Sequence, residues 1–589
     1  MKKIMDYMEE ELKSAFRSCG YDEKYAGVHL SNRPDLCEFQ CNGALAAAKE
    51  YKKAPIMIAG EVVEKLQSQG MFELVEAVNP GFINLKLDKN YLSQYVMGMK
   101  LADKLGVEET KNPLTIVIDY GGPNVAKPLH IGHLRSAIIG ESVKRMKRYL
   151  GHKVIGDAHL GDWGLQMGLI ITELKKRKPQ LVYFQKDFKG EYPEEAPFTL
   201  GELEEIYPAA SAYSKEHPEY KEEALQTTVE LQQGNPGYRA LWNHILDISL
   251  EDLKKNYKKL QVEFDIWKKE SDAQPYIADL VEKMKREGFA HESEGALVVD
   301  VKEETDAKEI PPCIILKSDG ASLYATTDLA TIVERKKLFD PDQIIYLADK
   351  RQEMHFTQVF RCARKIGLLT KEVKLEFLGF GTMNGKDGRP FKTRDGGVMR
   401  LSTLIDDIEE EMLKKIVDNK NQASEEDAQK TAEIVALSAL KYGDLSNQAA
   451  KDYIFDMERF TSFEGNTGPY ILYTIVRIKS ILNKYMEQPS RTDSQKILPA
   501  SGDSEKALML LLTQFSPAVE NACEDSAPHK ICSYIYELAN AFNKFYHETK
   551  ILTEENKEQQ ASWIQLLMLT RDVLEICIDL LGFTAPEKM

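Results

Sequence analysis

Two histidines flanking an Ile-Gly pair, His130-Ile-Gly-His133, are the residues of this chain whose types and spacing best suit phosphate chemistry. An apolar run at residues 114–118 predicts a buried strand before them, and apolar residues at helical spacings after them predict a helix that Gly151 ends. A strand, a Gly/Pro-rich turn and a helix N-terminus turn free backbone N–H groups towards one anion. The imidazoles could stabilise the charge that a phosphate gains during displacement. Gly132 would let a flat base lie against the backbone.

Polar residues lie at the ends of predicted strands and at one helix start, where a parallel sheet binds its ligands. For a substrate that carries a guanidinium group, Asp119 and Asp328 could be the carboxylate acceptors and Tyr324 a flat polar neighbour. Asn124 and Gln352 could accept hydrogen bonds from an α-ammonium group. Each of these residues, taken alone, could equally be a helix cap or a turn residue.

A second basic element follows at residues 385–397, Gly-Lys-Asp-Gly-Arg-Pro-Phe-Lys-Thr-Arg-Asp-Gly-Gly. Its glycines and cations suit a flexible loop that clamps a pyrophosphate, and a polar hairpin loop is the alternative. The candidate cations are Lys386, Lys392 and Arg394. Lys127, three residues before His130, could reach the same phosphates.

The longer run Pro-Asn-Val-Ala-Lys-Pro-Leu-His-Ile-Gly-His-Leu-Arg-Ser, residues 123–136, resembles the HIGH signature of class I aminoacyl-tRNA synthetases and is specifically similar to arginyl-tRNA synthetases. The similarity continues through residues 151–154 and His-Leu-Gly-Asp-Trp-Gly at 159–164, and it recurs up to Pro-Glu-Lys-Met at 586–589. It implies that L-arginine is activated with ATP and transferred to the 3′ terminal adenosine of tRNA(Arg), with release of AMP and pyrophosphate. It also implies that Mg²⁺ accompanies ATP, and no dedicated carboxylate cage for a metal is visible.

The resemblance implies roles for the residues that occupy the family's motif positions. Catalytic roles fall to His130, His133, Lys127 and Lys392. Residues implied to contact ATP are His130, Gly132, His133, Lys386 and Arg394. Residues implied to hold arginine are Asp119, Asn124, Tyr324, Asp328 and Gln352. Class I enzymes usually carry Lys-Met-Ser-Lys-Ser where this chain has the basic element, so the residue that replaces the usual lysine stays open.

Two further groups of residues are implied to bind tRNA. Near the N-terminus, Phe39, Gln40 and Asn42 could stack on a base at the outer corner of the tRNA and bond to its edge, and a turn with a packed aromatic is the alternative. Near the C-terminus, Tyr470, Tyr473 and Arg477 share one helix face and would stack on unpaired anticodon bases. A tyrosine stripe in a core is the alternative there. Further implied contacts are Tyr546 and Met589.

The elements that must position these residues predict an α/β protein of three parts. Residues 1–107 are predicted to form a small α+β domain, which the resemblance implies touches the tRNA elbow. Residues 108–400 are predicted to form a Rossmann-type catalytic domain with a parallel sheet, split by a helical insertion at about 176–285. Residues 401–589 are predicted to be all-helical, and the resemblance implies that they form the anticodon-binding domain. Strands are predicted at 114–118, 154–158, 296–299, 343–347 and 375–379. Helices are predicted at 1–19, 352–366, 434–442, 469–486, 505–515, 527–549 and 561–581, with a polar linker at 488–503.

Composition sets limits on this interpretation. The 589 residues suffice for several domains, and 43% hydrophobic content is typical of a globular protein. The net charge of −16 argues against a nucleic-acid partner but does not describe local patches. Eight scattered cysteines predict buried thiols and a reducing cytoplasm, and Cys37 and Cys41 lack the second ligand pair of a zinc site. No run of membrane-spanning length is present. The resemblance suggests a monomer.

Two other functions compete with the ligase. A non-catalytic, synthetase-like RNA-binding paralogue would not need intact His130, Gly132, His133 and Asp328. A small-molecule adenylyltransferase with a HIGH motif would have no use for the long helical region after Leu401. Pyrophosphate exchange with and without tRNA separates the three possibilities.

Overall fold

A computed structural model describes residues 1–66, 70–127, 129–318, 320–389, 399–418, 424–489, 491–492 and 494–589. The N-terminal region is a small α+β unit, as predicted. Its four strands form one antiparallel sheet in the order β1-β2-β4-β3. Its helices and strands are α1 Ile4–Ser18, β1 Val28–Leu30, β2 Phe39–Cys41, α2 Gly43–Tyr51, α3 Pro55–Leu66, β3 Phe72–Val78, β4 Phe82–Leu87 and α4 Lys89–Leu101.

The central region alternates strands and helices around a parallel sheet. The sheet order is β11-β10-β5-β6, and every neighbouring pair in it is parallel. The elements are β5 Thr115–Asp119, α5 Ile131–Tyr149, β6 Lys153–Asp157, α6 Leu165–Arg177, α7 Leu200–Glu216, α8 Pro218–Gln232, α9 Pro236–Lys259, α10 Glu270–Arg286, β7 His291–Ser293, β8 Ala296–Val299, β9 Cys313–Leu316, α11 Tyr324–Phe339, β10 Gln343–Asp349, α12 Glu353–Lys365 and β11 Lys374–Phe380. The predicted α/β fold and helical insertion, here α7 to α10, are confirmed.

One predicted strand belongs to a different sheet. Residues 296–299 do form β8, but β8 pairs antiparallel with β7 and β9 instead of joining the parallel sheet. The two residues between β7 and β8, Glu294 and Gly295, both have positive φ, 52° and 82°. A two-residue turn of this kind reverses the chain and joins two antiparallel strands in a hairpin. Parallel strands must instead be joined by a much longer crossover connection.

The C-terminal region is helical. Its elements are β12 Met383–Asn384, α13 Leu401–Asp418, α14 Glu425–Leu445, β13 Tyr453–Ile454, α15 Met457–Phe460, α16 Gly468–Met486, α17 Asp503–Leu512, α18 Phe515–Glu524, α19 Pro528–Glu548 and α20 Lys557–Leu580. The single helix predicted at 505–515 is instead the end of α17 and the start of α18. Pro517 is consistent with the break, because it lacks the N–H that would donate to the Thr513 carbonyl in a continuous helix.

Helix α5 lies between the parallel sheet and the C-terminal helices. It contacts β6 and β10 on one side and α14, α18 and α20 on the other. Its apolar residues and several charged ones are buried, so this helix forms part of the core all round. Within the described ranges, none of the helices combines the length and the apolarity that a membrane crossing requires.

Short 3₁₀ turns complete the chain at Glu23–Tyr25, Asp103–Gly106, Val182–Phe184, Lys350–Gln352 and Ile551–Thr553. All eight cysteines are unpaired thiols. Cys37 and Cys41 are buried, as predicted, and burial raises the pKa of the Cys41 thiol to about 11.

Candidate active site

The two histidines lie together at the N-terminus of α5. The Gly132 N–H donates to His130 Nδ1 at 3.0 Å, and the His130 N–H donates to His133 Nδ1 at 3.2 Å. The ring centroids are 3.8 Å apart. A neutral imidazole that accepts at Nδ1 carries its proton on Nε2. Each ring therefore offers an Nε2–H donor to a ligand.

The electrostatic surroundings keep both rings neutral. Burial and the nearby Lys127 ammonium lower the pKa of His130. Burial, together with His130 and Lys127, lowers the pKa of His133 to about 3. At neutral pH both rings are therefore uncharged and can donate a hydrogen bond from Nε2.

Residue 132 must be a glycine because the imidazole of His130 lies close against it. A Cβ atom at this position would lie 2.7 Å from His130 Cε1, so any larger residue would displace the imidazole. The predicted contact between Gly132 and a flat base stays a prediction.

The residues that follow the basic element, 399–401, contact the histidine segment. The Leu401 N–H donates to the Leu129 carbonyl at 2.9 Å, and the Ile131 N–H donates to the Met399 carbonyl at 3.3 Å. Lys386 forms an exposed ion pair with Asp456 at 3.2 Å. Lys392 and Arg394 lie outside the described residues. The Lys127 ammonium lies 4.5 Å from the centre of the Tyr207 ring of α7.

Asp119 is held by an internal arginine. Arg335 Nη2 contacts Asp119 Oδ2 at 2.6 Å and Asp157 Oδ2 at 2.7 Å, and Arg335 is only 1% exposed. A substrate guanidinium at Asp119 would face the like charge of Arg335. Arg335 thus already neutralises one oxygen of Asp119, and the role of Asp119 as an acceptor for the substrate stays a prediction.

Asp119 and Asp157, together with His159, form a cluster that resembles a metal site. Donor atoms of Asp119, Asp157 and His159 lie within 4.8 Å of one another. Burial opposes ionisation of Asp157, but His159 and Arg335 outweigh it and bring the pKa of Asp157 to about 2. The guanidinium thus already occupies the position of a cation.

A second acidic site contains Asp328 and Glu270. The Oδ2 atom of Asp328 lies 2.5 Å from His355 Nε2. The Asp328 side chain is 24% exposed. Burial raises the pKa of Glu270 to about 7, and the carboxylates of Asp162 and Asp328 act in the same direction while His159 opposes them. Two acidic groups that influence each other in this way, Asp328 and Glu270, suit a cationic ligand better than either alone.

A cavity of about 280 Å³ extends from Glu270 to the turn that precedes His130. Asn124, Lys127, Glu270 and Tyr324 all line it, and Tyr324 is 72% exposed. The structure thus brings together three residues that the sequence predicted separately. Gln352 is exposed at the N-terminus of α12, one turn before His355.

Sequence reasoning missed Glu270 and His355. Glu270 opens α10, and its N–H donates to the Leu160 carbonyl at 2.9 Å, which fixes it beside the cavity. An acid at a helix start is so common that the position gave no signal. His355 follows Gln352 by three residues, and that spacing on a predicted helix was a usable signal.

The N-terminal residues predicted to bind tRNA differ in exposure. Phe39 is 1% exposed in the core of the antiparallel sheet, so it is not available to stack on a base. Phe39 is therefore a packed aromatic, as the alternative interpretation had it, and the prediction that it stacks on a base is wrong. Gln40 donates to Asn84 Oδ1 at 2.9 Å, and Asn42 Nδ2 lies 3.0 Å from His29 Nε2.

The C-terminal residues predicted to bind tRNA lie together. Tyr470, Tyr473, Arg477 and Met589 line one cavity of about 570 Å³. The Arg477 guanidinium lies 4.7 Å from the Tyr473 ring centre and 5.2 Å from that of Tyr546. Tyr473 is 40% exposed, so it is no core residue. Tyr470 is partly buried, and its hydroxyl donates to Asn540 Oδ1 at 2.6 Å.

Three family models match successive parts of the chain. They are the arginyl tRNA synthetase N terminal domain at residues 2–87, the catalytic domain of tRNA synthetases class I (R) at 96–457, and the DALR anticodon binding domain at 471–589.

Full-length relatives and solved structures agree with these models. The chain is 64% identical over 597 residues to the arginine–tRNA ligase of Agathobacter rectalis, with all of both chains covered. It is 56% identical to that of Alkaliphilus oremlandii, covering 100% of this chain and 99% of the relative. The crystal structure of arginyl-tRNA synthetase from Plasmodium falciparum aligns over 100% of both chains at 25% identity, with a TM-score of 0.81. The Thermus thermophilus arginyl-tRNA synthetase, at 21% identity and a TM-score of 0.79, shows the same fold over 100% of both chains.

Proposed function

The chain belongs to the arginyl-tRNA synthetase family of class I, and we propose that the histidine pair binds the phosphates of ATP while the acidic site of Asp328 and Glu270 binds arginine. The protein is an arginine–tRNA ligase, with ATP, arginine and tRNA as its substrates. The proposal concerns which residues carry each step. The observation that carries it is the pair of neutral histidines, each with Nδ1 occupied and Nε2–H free for a phosphate.

In the first step, the arginine carboxylate attacks the α-phosphorus of ATP. A bond forms between a carboxylate oxygen and phosphorus, and the bond from phosphorus to the bridging oxygen breaks, so that pyrophosphate leaves. His130 and His133 donate from Nε2 to the phosphate oxygens as negative charge develops there. Neutral donors suffice, because this displacement requires no proton transfer.

Basic residues hold the departing pyrophosphate. We assign this role to Lys127 and to the basic element with Lys386, Lys392 and Arg394. The contact of residues 399–401 with residues 129–131 supports the assignment, because it brings one end of the element next to the histidines. We propose that Mg²⁺ enters on the phosphates of ATP, since the nearby carboxylates of Asp119 and Asp157 already contact Arg335.

Asp328 and Glu270 are assigned to the arginine guanidinium, with Tyr324 beside it. Asn124 and Gln352 are assigned to the α-ammonium group. The assignments of Glu270, Tyr324 and Asn124 are supported by the cavity that these three residues line, and that of Asp328 by its interaction with Glu270. Gln352 is assigned from the resemblance alone. A charged hydrogen bond in such a site selects a cationic side chain over a neutral one of the same shape.

In the second step, the terminal adenosine hydroxyl of tRNA attacks the arginyl carbonyl and AMP leaves. We assign anticodon contacts to the cavity that Tyr470, Tyr473, Arg477 and Met589 line, with Tyr546 adjacent. Gln40 and Asn42 keep their proposed contacts with the tRNA elbow. We also propose the domain division 1–107, 108–400 and 401–589, a monomeric state and a cytoplasmic location.

Neither competing function gains support. The chain retains both histidines in a capped geometry that a non-catalytic paralogue would not need. A small-molecule adenylyltransferase would not need the region that matches an anticodon binding domain.

Pyrophosphate exchange with arginine, measured with and without tRNA, tests the assignment of the histidines. We expect His130→Ala and His133→Ala each to lower kcat about a hundredfold, the size of one lost transition-state hydrogen bond, with arginine affinity little changed. His291→Ala, at an exposed histidine of β7, is the matched control. Full turnover in either active-site variant would show that the phosphate site lies elsewhere.

A further inference from the structure

A buried arginine lies two residues after the catalytic histidines. Arg135 is on the second turn of α5 and is 1% exposed. Its Nε donates to Asp444 Oδ2 at 2.9 Å, and its Nη1 donates to the carbonyls of Gly381 at 2.7 Å and Lys451 at 3.1 Å. Tyr453 completes the group: its hydroxyl donates to the same Asp444 oxygen at 2.7 Å, and its ring centre lies 5.0 Å from the guanidinium carbon.

These partners belong to separate parts of the chain. Gly381 directly follows β11 and precedes β12, so it begins the segment that carries Lys386. Tyr453 is the first residue of β13, and Lys451 lies two residues before it. Strand β13 pairs in parallel with β12. Asp444 lies near the end of α14 in the C-terminal helices. One guanidinium thus joins the histidine helix, the segment 381–384 that leads into the basic element, and the C-terminal region.

The contacts of the segment 381–384 leave it little freedom. A Cβ atom on Gly381 would lie 2.5 Å from the Lys451 carbonyl carbon, so the two backbones are in close contact. The Thr382 N–H donates to Asp452 Oδ1 at 2.7 Å, and the same oxygen accepts from Lys350 at 2.9 Å. A displacement of Arg135 therefore cannot be absorbed locally on that side.

We propose that Arg135 is a positioning residue for adenylate formation, holding the N-terminal end of α5, and with it His130 and His133, in register with the segment 381–384 that leads into the basic element. The proposal rests on the assigned role of these histidines. Displacement at phosphorus depends on donor placement, and a misplacement of about 1 Å can cost about a hundredfold in rate. Lysine cannot replace this arginine, because a single ammonium does not reproduce a planar fork that reaches a carboxylate and two carbonyls together.

A purely stabilising ion pair makes a different forecast. Breaking a buried pair destabilises the whole fold, which reduces the amount of folded enzyme without a selective change in kcat. Glu141 offers the matched control on the same helix. Its buried carboxylate contacts Lys144 at 2.9 Å and Arg145 at 2.7 Å, and Arg145 in turn reaches Asp579 of α20. Glu141 therefore also links α5 to the C-terminal helices, but more than one turn beyond the histidines.

The experiment measures pyrophosphate exchange in the presence of tRNA for Arg135→Lys, Asp444→Asn, Glu141→Gln and His133→Ala, normalised to folded protein by thermal melting. We expect Arg135→Lys to lower kcat at least tenfold while the arginine KM stays within about twofold. Glu141→Gln should keep kcat within about threefold of wild type, even if its melting temperature falls as far as that of Arg135→Lys. Asp444→Asn should follow Arg135→Lys.

Two results would overturn the proposal: a folded Arg135→Lys enzyme with kcat within twofold of wild type, or an equal fall in kcat for Glu141→Gln. If His133→Ala retains full kcat, the assigned role of the histidines fails instead, and the two failures are thereby distinguished. Should Arg135→Lys not fold, Tyr453→Phe removes only the hydroxyl bond to Asp444 and keeps the ring under the guanidinium. We expect it to lower kcat about threefold or more, and an unchanged kcat in that variant would overturn the proposal.

Discussion

Replacing Asp328 with asparagine removes a negative charge and preserves the size of the side chain. In the structure this carboxylate is 24% exposed and lies 2.5 Å from His355, and it raises the pKa of the neighbouring Glu270. A hydrogen bond to a charged partner contributes about 1.5–3 kcal/mol. That range corresponds to a rise of roughly ten- to 150-fold in the arginine KM. The partial exposure of Asp328 places the expected value at the lower end, about tenfold.

The assay is pyrophosphate exchange at varied arginine concentration, with citrulline as a competing ligand. Citrulline has the shape of arginine but a neutral end group, so Asp328→Asn should weaken its binding much less. Asp525→Asn, which breaks a surface pair with Lys530 in the C-terminal helices, serves as a control for general effects of charge. Equal losses for arginine and citrulline would refute the specificity role and leave Asp328 a structural partner of His355.

Further expectations concern the second acid and the two tRNA surfaces. Because burial raises the pKa of Glu270 to about 7, its carboxyl is neutral below that pH and ionised above it; the arginine KM should fall as pH rises from about 6 to 8, and Glu270→Gln should abolish that fall. Tyr473→Ala should weaken productive tRNA use by about 1–3 kcal/mol per unstacked base, with melting and arginine KM unchanged, whereas a large drop in melting temperature with normal charging would place the ring in the core. Phe39→Ala should cost about 3–5 kcal/mol of stability and leave the tRNA KM of the folded enzyme unaltered, and a selective tRNA defect would contradict its burial.

Elements with strong local patterns were predictable from the sequence. The apolar run before Asp119 gave β5 to within one residue, and the glycine after the His130 helix marked its end. The pairing of β8 was not predictable from its own residues, because any short apolar strand suits either kind of sheet. The signal lay in the Glu294-Gly295 turn, whose positive φ values favour a hairpin.

The candidate site was predictable where a motif fixes local geometry. His130 and His133 lie within one helical turn, so their proximity follows from the sequence alone. The partner of Asp119 was not, because Arg335 is more than 200 residues away and meets it only through the fold. The orientation of Phe39 was accessible from strand alternation: Phe39 and Cys41 face the core, and Gln40 faces away.

Aminoacylation of total tRNA with each amino acid in turn tests the arginine–tRNA ligase most directly. The wild-type protein should charge tRNA with arginine, dependent on ATP, and should give no comparable charging with lysine or citrulline. The same assay on His130→Ala should show about a hundredfold slower charging with arginine. Efficient charging with a different amino acid, or unchanged arginine charging by His130→Ala, would contradict the assigned specificity or the assigned phosphate site.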